Sequence, residues 1–208
     1  MNAITIKGYV RDLKPSHKIK NTEYYKCSLI SKRANGLEDV IELKFKKEYC
    51  NFKEGDLIEV VGNVRSYSHP VNGKNKVDIY VFTNGDAPCA VITDEEDSWN
   101  KVELTGRICK TNPLRELKNN KCNIYFTVAN NITSEEKHIK LNSYIPVIAW
   151  NSLARKIAEY NVGDCIKISG ELHSREYKKL IDRDTNDFEI RVAHELLAFN
   201  VEKIDHEV

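Results

Sequence analysis

The strongest signal along this chain is the alternation of apolar and polar positions. Tyr144-Ile145-Pro146-Val147-Ile148-Ala149-Trp150 reads as a strand with Ile145, Val147 and Ala149 on one face. Tyr144, Pro146, Ile148 and Trp150 lie on the other. The first set is core. The second places two large aromatics about 20 Å apart, at ~3.3 Å of rise per residue. Aromatic rings spaced on a sheet face beside basic loops suit the stacking of unpaired bases, since every base has a π-face and every nucleotide a phosphate. The same pattern also fits a strand buried on both faces, with Trp150 filling a second core.

The alternation recurs. Ile4-x-Ile6-x-Gly8-x-Val10 with Pro15 matches Val102-x-Leu104-x-Gly106-x-Ile108 with Pro113 at an offset of 98. Gly55-Asp56-x-Ile58-x-Val60-x-Gly62-x-Val64 matches Gly163-Asp164-x-Ile166-x-Ile168-x-Gly170-x-Leu172 at an offset of 108. The slip of ten falls in the segments between, where insertions are tolerated. Two homologous domains in tandem are expected.

In the second copy, Lys101–Cys109, Cys122–Asn131 and Tyr144–Trp150 read as strands, with Gly106 at a bulge or close approach. Asn151–Tyr160 carries Leu153, Ala154, Ile157 and Ala158 at helical spacing and predicts a short helix. Strands follow at Cys165–Arg175 and Asp187–Phe199, around a polar loop Lys178–Asn186. Three strands, a helix and two strands is the order of an OB-fold. The expected fold is all-β: two tandem five-stranded OB-fold barrels, each with a short helix between its third and fourth strands. The expected domains are 1–84, an exposed acidic linker 85–99 holding Asp94–Asp97, and 100–204.

Composition narrows the class. Charged residues make up 30% of the 208, and no apolar run reaches the ~20 residues of a membrane span. Met1–Gly8 passes directly into a strand pattern with no signal-peptide layout, so a cytoplasmic, nucleoid-associated protein is expected. Cysteines 27, 50, 89, 109, 122 and 165 include no C-x-x-C pair, which suits reduced, buried thiols. Neither a metal nor a cofactor is expected, and no catalytic triad or phosphate loop favours an enzyme. The net charge of +1 does not itself suggest nucleic acid. Clusters at Arg11, Lys14, Lys18 and Lys20, and at Lys110, Arg115, Lys118 and Lys121, give weak support.

Four motifs of the second copy carry a family resemblance. They are Asn100-Lys101-Val102-Glu103-Leu104-Thr105-Gly106-Arg107-Ile108 with Pro113-Leu114-Arg115, then Phe126-Thr127-Val128-Ala129. Tyr144 to Ala154 follows, and Gly163-Asp164 with Ser169-Gly170-Glu171-Leu172-His173-Ser174-Arg175-Glu176-Tyr177 completes the set. In this order and spacing they resemble the bacterial single-stranded-DNA-binding protein family. The resemblance implies an OB-fold that wraps single-stranded DNA, with Tyr144, Trp150 and Tyr177 stacking bases and Arg107, Arg115 and Arg175 contacting the backbone. Lys121 joins them on charge and location alone. Each has a plainer alternative: Arg107 a strand-edge charge, Arg115 a solvated loop residue, Tyr177 a packer at the barrel rim.

The first copy departs from the pattern. Ile41, Leu43 and Phe45 align with the core positions, which leaves Glu42, Lys44 and Lys46 where the second copy has Pro146, Ile148 and Trp150. Its helix looks a turn shorter. Lys44, Lys46, Arg65 and Tyr67, with Tyr80, are candidates to hold a strand by its phosphates, or the domain serves dimerisation instead. The expected partners are single-stranded DNA, RNA as an alternative, no membrane, and a second copy to give four OB units. Family members that act as replication hubs end in a flexible acidic tail, whereas this chain ends at Ile204-Asp205-His206-Glu207-Val208. A protein-interaction scaffold of a primosome or conjugation complex is the rival reading.

Overall fold

A computed structural model describes residues 1–71, 74–83, 89–93, 100–134, 139–181 and 187–204. Its strands are β1 (Asn2–Ile19), β2 (Thr22–Lys32), β3 (Glu38–Lys46), β4 (Leu57–Val71), β5 (Lys74–Phe82) and β6 (Cys89–Val91) in the first half. The second half has β7 (Asn100–Thr111), β8 (Arg115–Glu116), β9 (Cys122–Ser134), β10 (Ile139–Trp150), helix α1 (Asn151–Ala158), β11 (Cys165–Leu180) and β12 (Phe188–Lys203). The described residues are all-β apart from α1 and two short 3-10 turns, as the alternation predicts.

Pairing closes the strands on themselves. β1 pairs with β2, β2 with β3, β3 in parallel with β5, β5 with β4, and β4 returns to β1. In the second half β7 pairs with β9, β9 with β10, β10 in parallel with β12, β12 with β11, and β11 with β7. Closure removes the exposed sheet edges that would otherwise invite association.

The internal repeat is visible hydrogen bond by hydrogen bond. Val10 N–H donates to Asp56 O at 2.9 Å and Ile108 N–H to Asp164 O at 3.0 Å. Gly55 N–H donates to Val10 O, and Gly163 N–H to Ile108 O. Both glycines have positive φ, 87° and 101°, which an L side chain resists. The Asp56 and Asp164 carboxylates accept, each at 2.9 Å, from Lys53 N–H and Asn161 N–H. Gly106 is indeed a close approach: a Cβ there would lie 2.5 Å from the Ala129 carbonyl oxygen.

Ile4, Ile6, Leu29, Leu43 and Phe45 in the first half, and Leu104, Ile108, Ile124, Ile145 and Val147 in the second, are fully buried, the faces that alternation assigned to the core. A buried apolar side chain stabilises by roughly 1.5–3 kcal/mol.

Several expectations need correction. The first half has a 3-10 turn, Lys47–Tyr49, where a short helix is expected, because only three residues separate β3 from the loop. β1 runs on through Pro15, bent at Asp12 (φ 55°), where the Glu54 carboxylate accepts the Asp12 and Leu13 N–H groups at 2.9 and 3.0 Å. Arg11, Lys14 and Lys18 therefore sit on a strand, not a loop. Lys178–Leu180 extends β11, so the polar loop is shorter than expected. The expected linker contains β6, which pairs with Ile58–Val60 and buries Cys89. Asp94–Asp97 lies outside the described residues. Cys109 is exposed, not buried, and its thiol donates to Thr127 O at 3.3 Å.

The halves are joined along β1 and β7, antiparallel from Asn2↔Leu104 to Ile6↔Asn100. A second joint is polar. Arg33 clamps the fully buried Asp39 carboxylate through Nη2 at 2.6 Å and Nε at 2.8 Å, and also donates to Ser174 O at 2.9 Å. The Asp39 pairing raises the Arg33 pKa further. Val40 N–H donates to Ser174 Oγ at 2.8 Å, and His194 Nε2 lies 2.8 Å from Val40 O.

Candidate nucleic-acid interface

The outer face of β9, β10, β12 and β11 is built by register. Trp150 pairs with Asn123, and Asn123 with Arg115, so these three form one row across β10, β9 and β8. The next row runs Tyr125, Ile148, Leu197, Glu171. Because paired residues share a face, each row presents its side chains together.

This face is neither wholly open nor a second core. Ile148 is covered, at 3% exposure, while Trp150 is 39% exposed and Tyr144, at the other end of β10, 45%. Ile148 lines a groove of about 520 Å³ together with Lys32, Arg33, Ala34 and Asn35 of the β2–β3 turn of the first half and with Tyr125, Trp150, His173 and Arg175. Both halves thus build the groove.

Charge inside it is mixed. Arg175 Nε lies 3.5 Å from Glu195 Oε2, and the guanidinium carbon lies 5.6 Å from the Tyr177 ring centroid. His173 Nε2 is 2.8 Å from Glu171 Oε2. Burial, with Glu195 nearby, pushes the Tyr125 hydroxyl pKa up, so it stays a neutral donor.

The structure brings together some of the sequence candidates and separates others. Trp150 and Arg175 line the groove, Tyr177 lies beside Arg175 at 37% exposure, and Arg115 extends the Trp150 row. Tyr144 is outside the groove: its N–H donates to Ser66 Oγ at 2.7 Å, at the seam with β4 between Arg65 and Tyr67. Arg107 Nη1 donates to Gly163 O at 3.0 Å and braces the turn before β11, away from Trp150. Lys121 is exposed at the start of β9. Sequence reasoning missed Tyr125, Glu195 and the turn Lys32–Asn35. Only Tyr125 left a signal, in the alternation of β9.

The matching face of the first half is occupied by its own contacts. Register confirms the alignment, since Leu43↔Val81 and Lys44↔Phe82 close that ring as Val147↔Leu196 and Ile148↔Leu197 close the other. Lys44 Nζ lies 2.9 Å from Glu42 and 4.0 Å from the Tyr80 centroid. Lys26 reaches Glu42 at 3.1 Å, and Lys46 lies 3.5 Å from Glu48. Burial raises and Lys44 and Lys26 lower the Glu42 pKa, with a net fall. Arg65 lies 4.0 Å over the Phe82 ring, its pKa lowered by burial. Tyr67 is exposed and stacks on His69 at 5.5 Å.

The groove lies on the outer face of a closed barrel and is lined by aromatic, basic and acidic side chains. Residues 99–199 match the Single-strand binding protein family, a family of non-enzymatic DNA-binding proteins. The fold of the whole chain is similar to that of the wild-type single-stranded DNA binding protein from Thermus aquaticus. The TM-score is 0.73 at 16% identity, covering 100% of this chain and 95% of that one. A deletion mutant of the same Thermus aquaticus protein gives 0.67 at 17% identity, covering 100% and 96%. No curated protein matches the sequence.

Proposed function

We propose that this protein coats single-stranded DNA with little regard to sequence and protects it during replication, recombination or repair. The observation that carries this reading is Trp150, half-open on the lining of a groove that Arg175 also lines, within the family-matched residues. Tyr144, Trp150 and Tyr177 stack bases. Arg115, Arg175 and Lys121 meet phosphates, with Arg107 at the far turn. Lys44, Lys46, Arg65 and Tyr67 form a weaker second stretch of the path. Stacking supplies about 1–3 kcal/mol per base, and released counterions supply the rest.

In this reading the two rings are OB barrels in tandem, 1–84 and 100–204, joined by 85–99. Two chains associate to give four barrels, in the cytoplasm and on the nucleoid, and no cofactor is needed. Light scattering that gives the mass of one chain would remove the dimer. A scaffold reading has one observation in its favour: Phe188, Ile190 and Val192 are exposed on one face of the β11–β12 ribbon.

The test is titration with dT oligomers of increasing length at two salt concentrations, read by fluorescence in a Trp99→Phe background that leaves Trp150 as the sole tryptophan. Quenching should tighten with length, and log affinity should fall with log salt by about 0.7 per phosphate contacted. Absence of quenching and of any mobility shift with DNA would overturn the reading and promote the scaffold. Equal affinity for matched RNA would widen the partner to both nucleic acids.

A further inference from the structure

Beyond Leu172 and Leu196, β11 and β12 pair only with each other among the described residues, so they leave the second ring as a two-stranded ribbon. Paired residues share a face. One face carries Arg175, Tyr177 and Arg191. The other carries Ser174 opposite His194, Glu176 opposite Val192, Lys178 opposite Ile190 and Leu180 opposite Phe188. The first of these rows docks on the first half at Val40. Past that joint the face lies open: Val192, Ile190, Phe188 and Leu180 are each at least 41% exposed. An isolated two-stranded ribbon is marginal in water, and a contiguous apolar patch on its surface marks an interaction site.

We propose, resting on the single-strand-binding reading, that this face is the contact between neighbouring copies of the chain on one strand, ribbon against ribbon. The patch complements itself. About a two-fold axis lying across the ribbon between the Glu176 and Lys178 rows, Ile190 meets the partner's Val192 and Lys178 meets the partner's Glu176. Apolar surface and opposite charges are then matched in one arrangement. The ribbon tip, with Lys178 Nζ 4.5 Å from the Phe188 ring centroid, comes against the partner's His194 and so continues the joint with the first half. At roughly 100 Å² for each half-exposed side chain the patch offers about 400 Å² per copy. A contact that persists in free solution takes about 800 Å² per partner. Sharing a strand supplies the difference, because it brings two copies to an effective concentration near millimolar. Arg175 and Tyr177 turn the ribbon's other face to the strand, so one element meets both the strand and the next copy. Coating is therefore cooperative, while free chains do not associate through this face.

The experiment uses the full chain with two dT oligomers, the shortest that binds in full and one of twice that length, read by gel mobility. On the longer oligomer the second copy should bind about tenfold tighter than the first, the factor of one well-buried contact residue. Free and doubly loaded DNA should then dominate at half saturation. In Ile190→Ser the ratio should fall to near one and singly loaded DNA should appear, with affinity for the shorter oligomer changed less than about twofold. Lys178→Glu should act in the same direction, and exchange of both charges, Lys178→Glu with Glu176→Lys, should restore the ratio. Independent binding of the two copies in the unaltered chain would overturn the contact and return the patch to a different protein partner. A ratio unchanged in Ile190→Ser would overturn it too, and either result leaves strand binding intact. Failure to bind the shorter oligomer would overturn strand binding itself and the contact with it.

Discussion

The two halves repeat a backbone almost bond for bond and differ in what they leave available on it. At the position that closes each ring the first half has Lys44 and the second Ile148. Lys44 is engaged by Glu42 and the Tyr80 ring, and Arg65 lies on Phe82. Around Ile148 the second half also pairs charges, Arg175 with Glu195 and His173 with Glu171, but Trp150 and Tyr177 keep exposed ring surface. Aromatic and basic residues alone therefore do not make a binding face. A cation already paired must break a contact before it meets a phosphate, whereas an open ring needs only to lose water.

The largest expected effect concerns the joint that sets the two faces against each other. Arg33→Ala leaves the buried Asp39 carboxylate with the Ser174 N–H but no cation, a change of about 3–5 kcal/mol in unfolding free energy. Urea unfolding reads it directly. A loss under 1 kcal/mol would mean that the joint is not fixed and that the two faces move independently.

Trp150→Ala comes next, and should weaken binding of a labelled short dT oligomer by about 1–3 kcal/mol with little effect on unfolding. Lys44→Ala should change the same affinity by less than about 0.5 kcal/mol, since its charge is already compensated. If the two variants lost affinity equally, the contrast between the faces would fail. Arg175→Ala should lower the slope of log affinity against log salt by about 0.7, one phosphate contact on a single strand. An unchanged slope would assign Arg175 to Glu195 and not to the strand.

The smallest effect is in pH. Glu54 is held below the usual carboxylate range by the Leu13 and Asp12 N–H groups. Asp164 is held low by Asn161 N–H and Lys203. Glu42 is held low by Lys44 and Lys26 against burial. Groups with depressed folded values stabilise above their unfolded values, and that stabilisation is lost as pH falls through the folded ones. Thermal melts should therefore be level from neutral pH to about 5 and decline below about 4, where unfolded carboxylates take up protons first. A melting temperature that rises on acidification through that window would contradict all three assignments.

The sequence by itself determined the strand faces and the likeness of residues 99–199 to the Single-strand binding protein family. Apolar alternation depends on neighbours two residues apart, and the turn Gly55-Asp56 or Gly163-Asp164 carries its own φ and its own cap. Trp150 was singled out by the alternation of its strand, whereas Arg175 and Tyr177 were singled out only through the family resemblance. Tertiary structure alone decided which candidates share a site. Tyr144 and Trp150 lie on one face of one strand, yet Trp150 lines a groove that a turn from the other half also lines, while Ser66 holds the Tyr144 end. Glu195 faces Arg175 because of the register of a hairpin whose loop length fixes which residues meet. The pairing of Arg33 with Asp39 is local, but its reach to Ser174 spans 141 residues. Contacts of that separation follow from how two closed rings dock, which no periodicity in the chain encodes.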